Sequence, residues 1–438
     1  MEISKIALCT ALALTLTACG GGGSNDSPKT DNATEPTKAS PLKVQVFNSC
    51  GQIEVVPTTF IFHDKDGVVL GTTKSEAGIG PDTLPKGTQH LTLLQFRDNL
   101  PGVPPFLKTF IDWDGQGIET LTLDRWGLQE KCNCRTLSVD ANALNTQLGD
   151  YQMNIGGNDL SWKNITDVTT CKRKGEWSPL SVVARPNIEG TETYGAYFPV
   201  SDNTPDKISL PVNLMEASEN TAEVLEVNWT GIEGAGLSYF KSYQDPTGYL
   251  SQYLPIRHEA GKTAYYLPKM GSNPIYRAEH TTHIDKGVIY SHQITVPIED
   301  RSVTINLSDN GALYYEAIKP LLTVTKETGK EAIYDLTSFD NNGSELYLTI
   351  LAENFTPLWI INAPIKGAIP ELKLPDELME KVETHRGKLT GISITGTDKP
   401  MAFQEYRRLV ENAYTKSVET TKPLLPYYQT EALSIWAD

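Results

Sequence analysis

Tyr276-Arg-Ala-Glu-His280-Thr-Thr-His283-Ile284-Asp285-Lys286-Gly287-Val288-Ile-Tyr290-Ser-His292-Gln-Ile294-Thr-Val296 is the stretch whose reading decides the fold. Side chains on a strand alternate faces, and apolar residues alternate on both sides of Asp285-Lys286-Gly287, so the stretch predicts a β-hairpin. A three-residue loop puts Tyr276, Ala278, His280, Thr282 and Ile284 on the same face as Val288, Tyr290, His292, Ile294 and Val296, because a one-residue slip would invert one set. His280 then stands directly opposite His292 on the inner face, and Glu279 and His283 point away. Two histidines without a third ligand make a poor zinc site, so they are expected as hydrogen-bonded core or rim residues.

The same pattern runs outward along the chain. Turn dipeptides recur at Asp66-Gly67, Lys86-Gly87, Asp114-Gly115, Asn310-Gly311, Thr328-Gly329 and Asn342-Gly343. Glycine supplies the positive φ that tight turns need. Alternating runs such as Val303-Thr-Ile305-Asn-Leu307 and Leu346-Tyr-Leu-Thr-Ile-Leu351 lie between them. Hydrophobic residues make up 39% of the 438 and charged residues 21%, enough to bury real cores.

Residues 60–93 read FIFHDKDGVVLGTTKSEAGIGPDTLPKGTQHLTL. An apolar strand leads to an Asp-x-Asp-Gly turn and a second strand ending Gly-Thr-Thr. An Ala77-Gly78 corner, then Leu84-Pro85-Lys86-Gly87 and a last alternating strand follow. This segment resembles the carboxypeptidase-regulatory-like, prealbumin-type β-sandwiches of secreted bacterial proteins. The resemblance implies a spacer or binding unit and transfers no activity. The predicted fold class is therefore mainly β: tandem Ig-like or prealbumin-like β-sandwiches with a small α/β element at the C-terminus.

Five segments are expected beyond residue 41: a β-sandwich at 42–138, a β module at 139–215, a Tyr-rich β module at 216–305, a β module with two hairpins at 306–373, and a helix-containing element at 374–438. In the last, Leu374-Pro375-Asp376 opens a short helix to about residue 383, residues 389–395 read as a strand, and Asp398-Lys-Pro400 opens a longer helix. Phe403, Tyr406, Leu409, Val410 and Ala413 give that helix one apolar face, with Glu405, Arg407, Arg408 and Glu411 elsewhere.

Residues 1–18 read as an export signal: Lys5 near the start, an apolar run from Ile6 to Leu16, then Leu16-Thr17-Ala18-Cys19. This resembles the lipobox of bacterial lipoproteins. The resemblance implies that Cys19 becomes the lipidated first residue of the mature chain. Gly20 in place of Asp implies the outer membrane of a Gram-negative cell, with the protein facing either the periplasm or the cell surface. Residues 19–41 are then a tether. Positions 20–41 hold no aromatic residue and no Leu, Ile, Val or Met, and at ordinary coil dimensions they span roughly 26 Å.

Lys and Arg number 38 against 54 Asp and Glu, a net charge of −16. That balance argues against nucleic acid as a partner, since such binding rests on phosphate neutralisation. The expected partners are the membrane, through the lipid, and an envelope protein or a glycan. With Cys9 in the leader and Cys19 lipidated, Cys50, Cys132, Cys134 and Cys171 remain, an even count that predicts two disulfides in an oxidising compartment. Cys132 and Cys134 share a strand face, so one of them is expected to bond Cys50 and the other Cys171, in either order. A four-cysteine zinc site competes with this reading, and its usual two C-x-x-C pairs are missing.

No cofactor is expected, although Asp112, Asp114 and Glu119 offer three carboxylates in a glycine-rich turn that suits calcium, as does Asp64-x-Asp66 more weakly. The chain has no G-x-S-x-G, H-E-x-x-H, Walker A or dinucleotide-binding motif, and a non-enzymatic role is expected. A hydrolase would show itself as a pocket with two facing carboxylates. Eight of the nineteen tyrosines fall within 239–290. Tyr243, Tyr249, Tyr253, Tyr265 and Tyr266 are the candidate binding surface, because exposed aromatic rings stack on sugars and anchor protein partners.

Overall fold

The computed structural model describes residues 42–47, 53–95, 104–113, 120–123, 133–149, 151–156, 158–160, 164–173, 175–186, 193–216, 221–231, 237–244, 250–255, 263–266, 272–326, 330–339, 343–420 and 428–436. The described residues fall within one compact unit, Pro36–Asp438; the expected export signal, the lipobox with Cys19, and the tether lie outside them. The chain is mainly β, in several sheets, as the turn-and-alternation pattern predicts.

The largest sheet has twelve strands. Across it, the order is Leu250–Pro255, Leu237–Gln244, Ser272–Asp285, Val288–Pro297, Tyr428–Trp436, Arg386–Gly396, Gly343–Ala352, Pro357–Ala363, Phe106–Phe110, His90–Gln95, Thr58–His63 and Val69–Ser75. Segments 42–138, 216–305, 306–373 and 374–438 all contribute strands to this one sheet. Pro357–Ala363 pairs with Phe106–Phe110 in parallel, and every other pairing in the sheet is antiparallel. The segment 139–215 contributes no strand to that sheet: together with the strand Cys134–Asp140 it forms two four-stranded sheets around a core of Leu137, Val139, Met153, Ile155, Val168 and Val182, a β-sandwich, and its Val183 joins the core of a neighbouring small sheet.

One face of the large sheet is covered from Ser272–Asp285 to Thr58–His63. Over Ser272–Asp285 and Val288–Pro297 lies the small sheet Thr263–Tyr266, Glu223–Gly231, Ser302–Leu307, which packs Leu225, Val227, Ile305 and Leu307 on Tyr276, Ala278, Ile294 and Val296. Further along lie the helices Gly311–Ile318, Leu321–Lys326 and Asp376–His385 and the strand pair Ala332–Asp335 with Lys366–Ile369. The sequence reading placed a hairpin turn at Asn310-Gly311. The structure begins a helix there instead, because Tyr314, Ile318, Leu321 and Val324 recur at helical spacing and all are buried.

The opposite face is covered by the sheet Ile53–Val55, Lys43–Phe47, Thr120–Leu123 and by the helix Phe403–Thr420. The expected C-terminal element does form its helices, Asp376–His385 and Phe403–Thr420. Its strands Arg386–Gly396 and Tyr428–Trp436, however, sit in the middle of the twelve-stranded sheet, where Ile392, Ile394 and Leu433 complete the main core. The long helix is also rotated from its expected face. Leu409 is exposed, while Tyr406, Arg407 and Glu411 are buried.

Arg407 explains the rotation. Its Nη1 lies 3.1 Å from Glu345 Oε1 on the sheet and its Nη2 lies 2.6 Å from Glu411 Oε1 on its own helix. Its guanidinium sits 4.7 Å from the Phe110 ring centroid. Burial opposes the charge on Arg407, but Glu345 and Glu411 outweigh it and raise its pKa. Truncating one partner of a buried ion pair leaves uncompensated charge, so Arg407→Ala is expected to cost about 3–5 kcal/mol, read by urea denaturation.

Phe355 closes the turn between Gly343–Ala352 and Pro357–Ala363 with φ of 62° and is well exposed. The Asn354 carboxamide oxygen accepts from the Thr356 N–H and hydroxyl, which fixes that turn. A bulky residue in left-handed backbone costs about 1–2 kcal/mol. Phe355→Gly is therefore expected to raise the unfolding midpoint by an amount equivalent to about 1 kcal/mol.

Candidate functional site

Hydrogen bonding between Ser272–Asp285 and Val288–Pro297 sets His280 directly opposite His292, the expected register. The loop is shorter than three residues: Asp285 pairs with Val288, and a bulge at Ile284 restores the count. Glu431 of Tyr428–Trp436 is the next residue in the same row. The row lies where two cores meet. Val288 and Tyr290 belong to the core under the helices, and Ile294 and Val296 belong to the core under the small sheet. The connection Ser308-Asp309-Asn310 runs over this seam.

Several polar groups of the seam are engaged by their neighbours. The Ser308 N–H donates to His292 Nδ1 at 3.0 Å, and the Ser308 hydroxyl stands 3.1 Å from the same nitrogen. An accepting Nδ1 leaves the proton on Nε2, which meets no acceptor among the described residues. Burial lowers the His292 pKa to about 4, so the ring is neutral. His280 Nε2 lies 3.7 Å from Asp309 Oδ2. The Tyr290 hydroxyl donates to Glu431 Oε2 at 3.1 Å, and the Tyr314 hydroxyl to the Glu431 carbonyl at 3.4 Å. Burial first, then the Glu431 charge, raise both tyrosine pKa values. A zinc ion at His292 Nε2 would need that nitrogen unprotonated, against the tautomer that Ser308 selects.

A second polar chain crosses four strands nearer the other end of the sheet. Trp359 Nε1–H donates to Thr109 Oγ1 at 2.9 Å, and Thr109 and Thr92 hydroxyls are 2.8 Å apart. Thr92 Oγ1 is 2.9 Å from His63 Nε2, and His63 Nδ1 is 3.1 Å from the Gly67 carbonyl. One direction of donation satisfies every link: indole to Thr109, Thr109 to Thr92, Thr92 to His63, His63 to Gly67. Gly67 is itself fixed, with φ of 80° and Glu371 so close that a Cβ would lie 2.4 Å from its carbonyl oxygen. This chain was not read from the sequence. Thr92 and Thr109 sit at inward positions of their strands, and that was the signal available.

The remaining expected site residues are dispersed. Cys134 and Cys171 form a disulfide between directly opposed residues of Cys134–Asp140 and Ile165–Arg173, one of the two pairings left open; Cys50 and Cys132 lie outside the described residues. Tyr243 and Tyr253 occupy neighbouring strands at one end of the large sheet, at diagonal register positions, since Tyr253 pairs with Lys241. Tyr265 and Tyr266 belong to the small sheet instead, opposite Val224 and Glu223. Tyr249 lies outside the described residues, so the tyrosines are divided between two sheets. Asp112 adopts φ of 52° and its N–H donates to His90 Nδ1, while Asp114 and Glu119 lie outside the described residues. In the other acidic turn, Asp64 Oδ1 accepts from the N–H groups of Asp66 and Val68 and so closes the turn itself.

The two-carboxylate sign of a hydrolase takes a different form. Glu345 and Glu411 converge, but around Arg407, both at most 4% exposed. An open cavity of about 440 Å³ lies beside the start of the long helix, lined by Thr337, Ile365, Pro400, Met401 and Glu405 among others, and Glu405 is its one carboxylate among the described residues. No described helix is long and apolar enough to cross a membrane.

Acid should loosen both polar chains. The folded-state pKa values of His63 and His292 are lowered, each to about 4 from 6.5, chiefly by burial. The unfolded chain therefore binds more protons as pH falls below 6.5, and stability declines until about pH 4. At about 1.4 kcal/mol per pKa unit, each ring is expected to cost about 3 kcal/mol over that window, and His292→Gln should flatten the pH dependence of the denaturation midpoint.

No family model and no curated protein matches the chain. Among solved structures, a Bacteroides ovatus protein called a "putative adhesin" in its crystal structure aligns at 8% identity over 64% of this chain and 84% of its own, with a TM-score of 0.12, too low to establish a shared fold.

Proposed function

We propose that the chain is a lipid-anchored protein of the Gram-negative outer membrane with a non-catalytic binding or structural role at the cell envelope. The observation that carries this reading is Leu16-Thr17-Ala18-Cys19, placed at the end of an apolar run and ahead of a polar tether. Anchoring by several acyl chains is effectively permanent, since each buried methylene contributes about 0.8 kcal/mol. The fold is compatible with that role. Its inward histidines and its buried Arg407 cluster are engaged in joining strands, helices and connections to one another, which is what a scaffold requires. The β-sandwich at 139–215 and its disulfide suit an oxidising compartment.

A second reading is a glycan-binding surface that assists polysaccharide capture. The placement of Tyr243 and Tyr253 on the two terminal strands of the sheet favours it. An enzymatic role, as a hydrolase, has the weaker support of the Glu405 cavity alone. Radiolabelled palmitate is expected to incorporate into the chain, and Cys19→Ser is expected to move it from the membrane to the soluble fraction. A Cys19→Ser protein that still fractionates with membranes overturns the anchor. Binding of labelled glycans that is abolished by Tyr249→Ala or Tyr253→Ala would establish the second reading over the first.

A further inference from the structure

The open cavity of about 440 Å³ beside the start of the helix Phe403–Thr420 is large enough for a small organic ligand. Separate parts of the chain build it. Thr337 follows the strand Ala332–Asp335, Ile365 lies between Pro357–Ala363 and Lys366–Ile369, and Pro400 and Met401 lead into the helix on which Glu405 stands. Bonds made outside the cavity hold these parts in place. The Leu336 N–H donates to the Ile365 carbonyl at 2.9 Å, and the Tyr406 N–H donates to the Ala402 carbonyl at 2.9 Å. The Gln404 side chain donates to the Asp112 carbonyl, and Lys366 Nζ lies 2.6 Å from Asp335 Oδ2. The walls are therefore formed before a ligand arrives, which limits the ordering cost of binding.

The lining side chains are of two kinds. Ile365, Pro400 and Met401 are apolar, and a thioether adapts to the shape of an aliphatic chain. The polar ones can only accept. The Thr337 hydroxyl spends its proton on Asp335 Oδ1 at 2.6 Å, which leaves its oxygen as an acceptor. Glu405, the third residue of its helix, is exposed at the cavity. A carboxylate at that position usually reaches back to the free N–H groups of the first turn. Glu405 makes no such bond, and no ion pair, among the described residues. We propose that the cavity binds a primary aliphatic amine, with the ammonium on Glu405 and the stem against Met401, Ile365 and Pro400. An ammonium donates and does not accept, so it suits a lining whose polar side chains only accept. An anion on the same stem would bring like charge to Glu405 and find no side-chain donor. No bond is made or broken, which separates this reading from that of a hydrolase. The inference is independent of the lipid anchor, since every lining residue belongs to the folded unit.

Titration of the full-length purified chain with n-butylammonium chloride, read by NMR of carbon-13-labelled methionine methyl groups, tests it at the site. Met401→Leu identifies the Met401 signal among the six methionines. The expected result is a saturable shift of that signal with butylammonium and none with sodium butyrate. Glu405→Gln is expected to weaken binding about fivefold, the scale of one exposed ion pair. A Met401 signal that does not move overturns the proposal. Equal shifts with butylammonium and butyrate overturn it too, because the cavity would then select the stem alone. An affinity unchanged in Glu405→Gln also overturns it. If that variant fails to fold, the contrast between the two ligands on the wild-type chain decides.

Discussion

The parallel pairing of Pro357–Ala363 with Phe106–Phe110 is the constraint on which the large sheet depends. It joins parts of the chain some 250 residues apart. On one side of it lie Val69–Ser75, Thr58–His63 and His90–Gln95; on the other lie all the strands drawn from residues 237–436. Parallel strands cannot be joined by a tight turn, so no local sequence feature holds this pair together. The packing on its two faces must. On one face Trp359 donates to Thr109 and opens the chain that ends at Gly67. On the other, Arg407, Glu345 and Asn362 converge on the Phe110 row.

Buried polar groups are costly unless satisfied, and here they sit where separate pieces of structure meet. The His63 chain ties four strands to a turn that is locked against residues 371–373, where the Lys373 N–H also donates to the Gly67 carbonyl. The His292 row lies under the connection that leads from one covering layer to the next. The Arg407 cluster tethers the long helix to the sheet. In each case the polar contact fixes position, while apolar packing on either side supplies most of the stabilisation. This division explains why His63 and His292 are neutral. A charged imidazole at either place would lack an acceptor and would lose the donor that orients it.

How much of this was legible in the sequence depended on whether the determinant was local. The His280–His292 register was, because strict alternation through a short loop admits one alignment. The disulfide pairing was half legible, since Cys132 and Cys134 share a face and only the folded sheet brings Cys134 opposite Cys171. The helix at Gly311–Ile318 was hidden by Asn310-Gly311, a dipeptide that serves a hairpin turn and a helix start equally well; the spacing of Tyr314, Ile318 and Leu321 was the better guide. Arg407 and Glu411 were expected off the apolar face of the long helix, yet their four-residue spacing gives them a shared face, and that face is buried. The parallel joint was not legible at all. Which of many apolar strands lie side by side is a property of the assembled sheet, and it decides that the segments share one sheet where a string of separate sandwiches was expected.

A shared sheet also changes how such a chain holds together. In a string of independent sandwiches each module stands or falls alone. Here, separating the strands at the parallel joint would expose Trp359, Leu107 and Ile361 of the core under the helices and Phe110 and Ile360 of the opposite core at the same time. Both cores would lose their cover, so segments distant in sequence are coupled into one cooperative unit. The same long-range pairing makes assembly slow, because residues hundreds of positions apart must meet before the joint contributes anything.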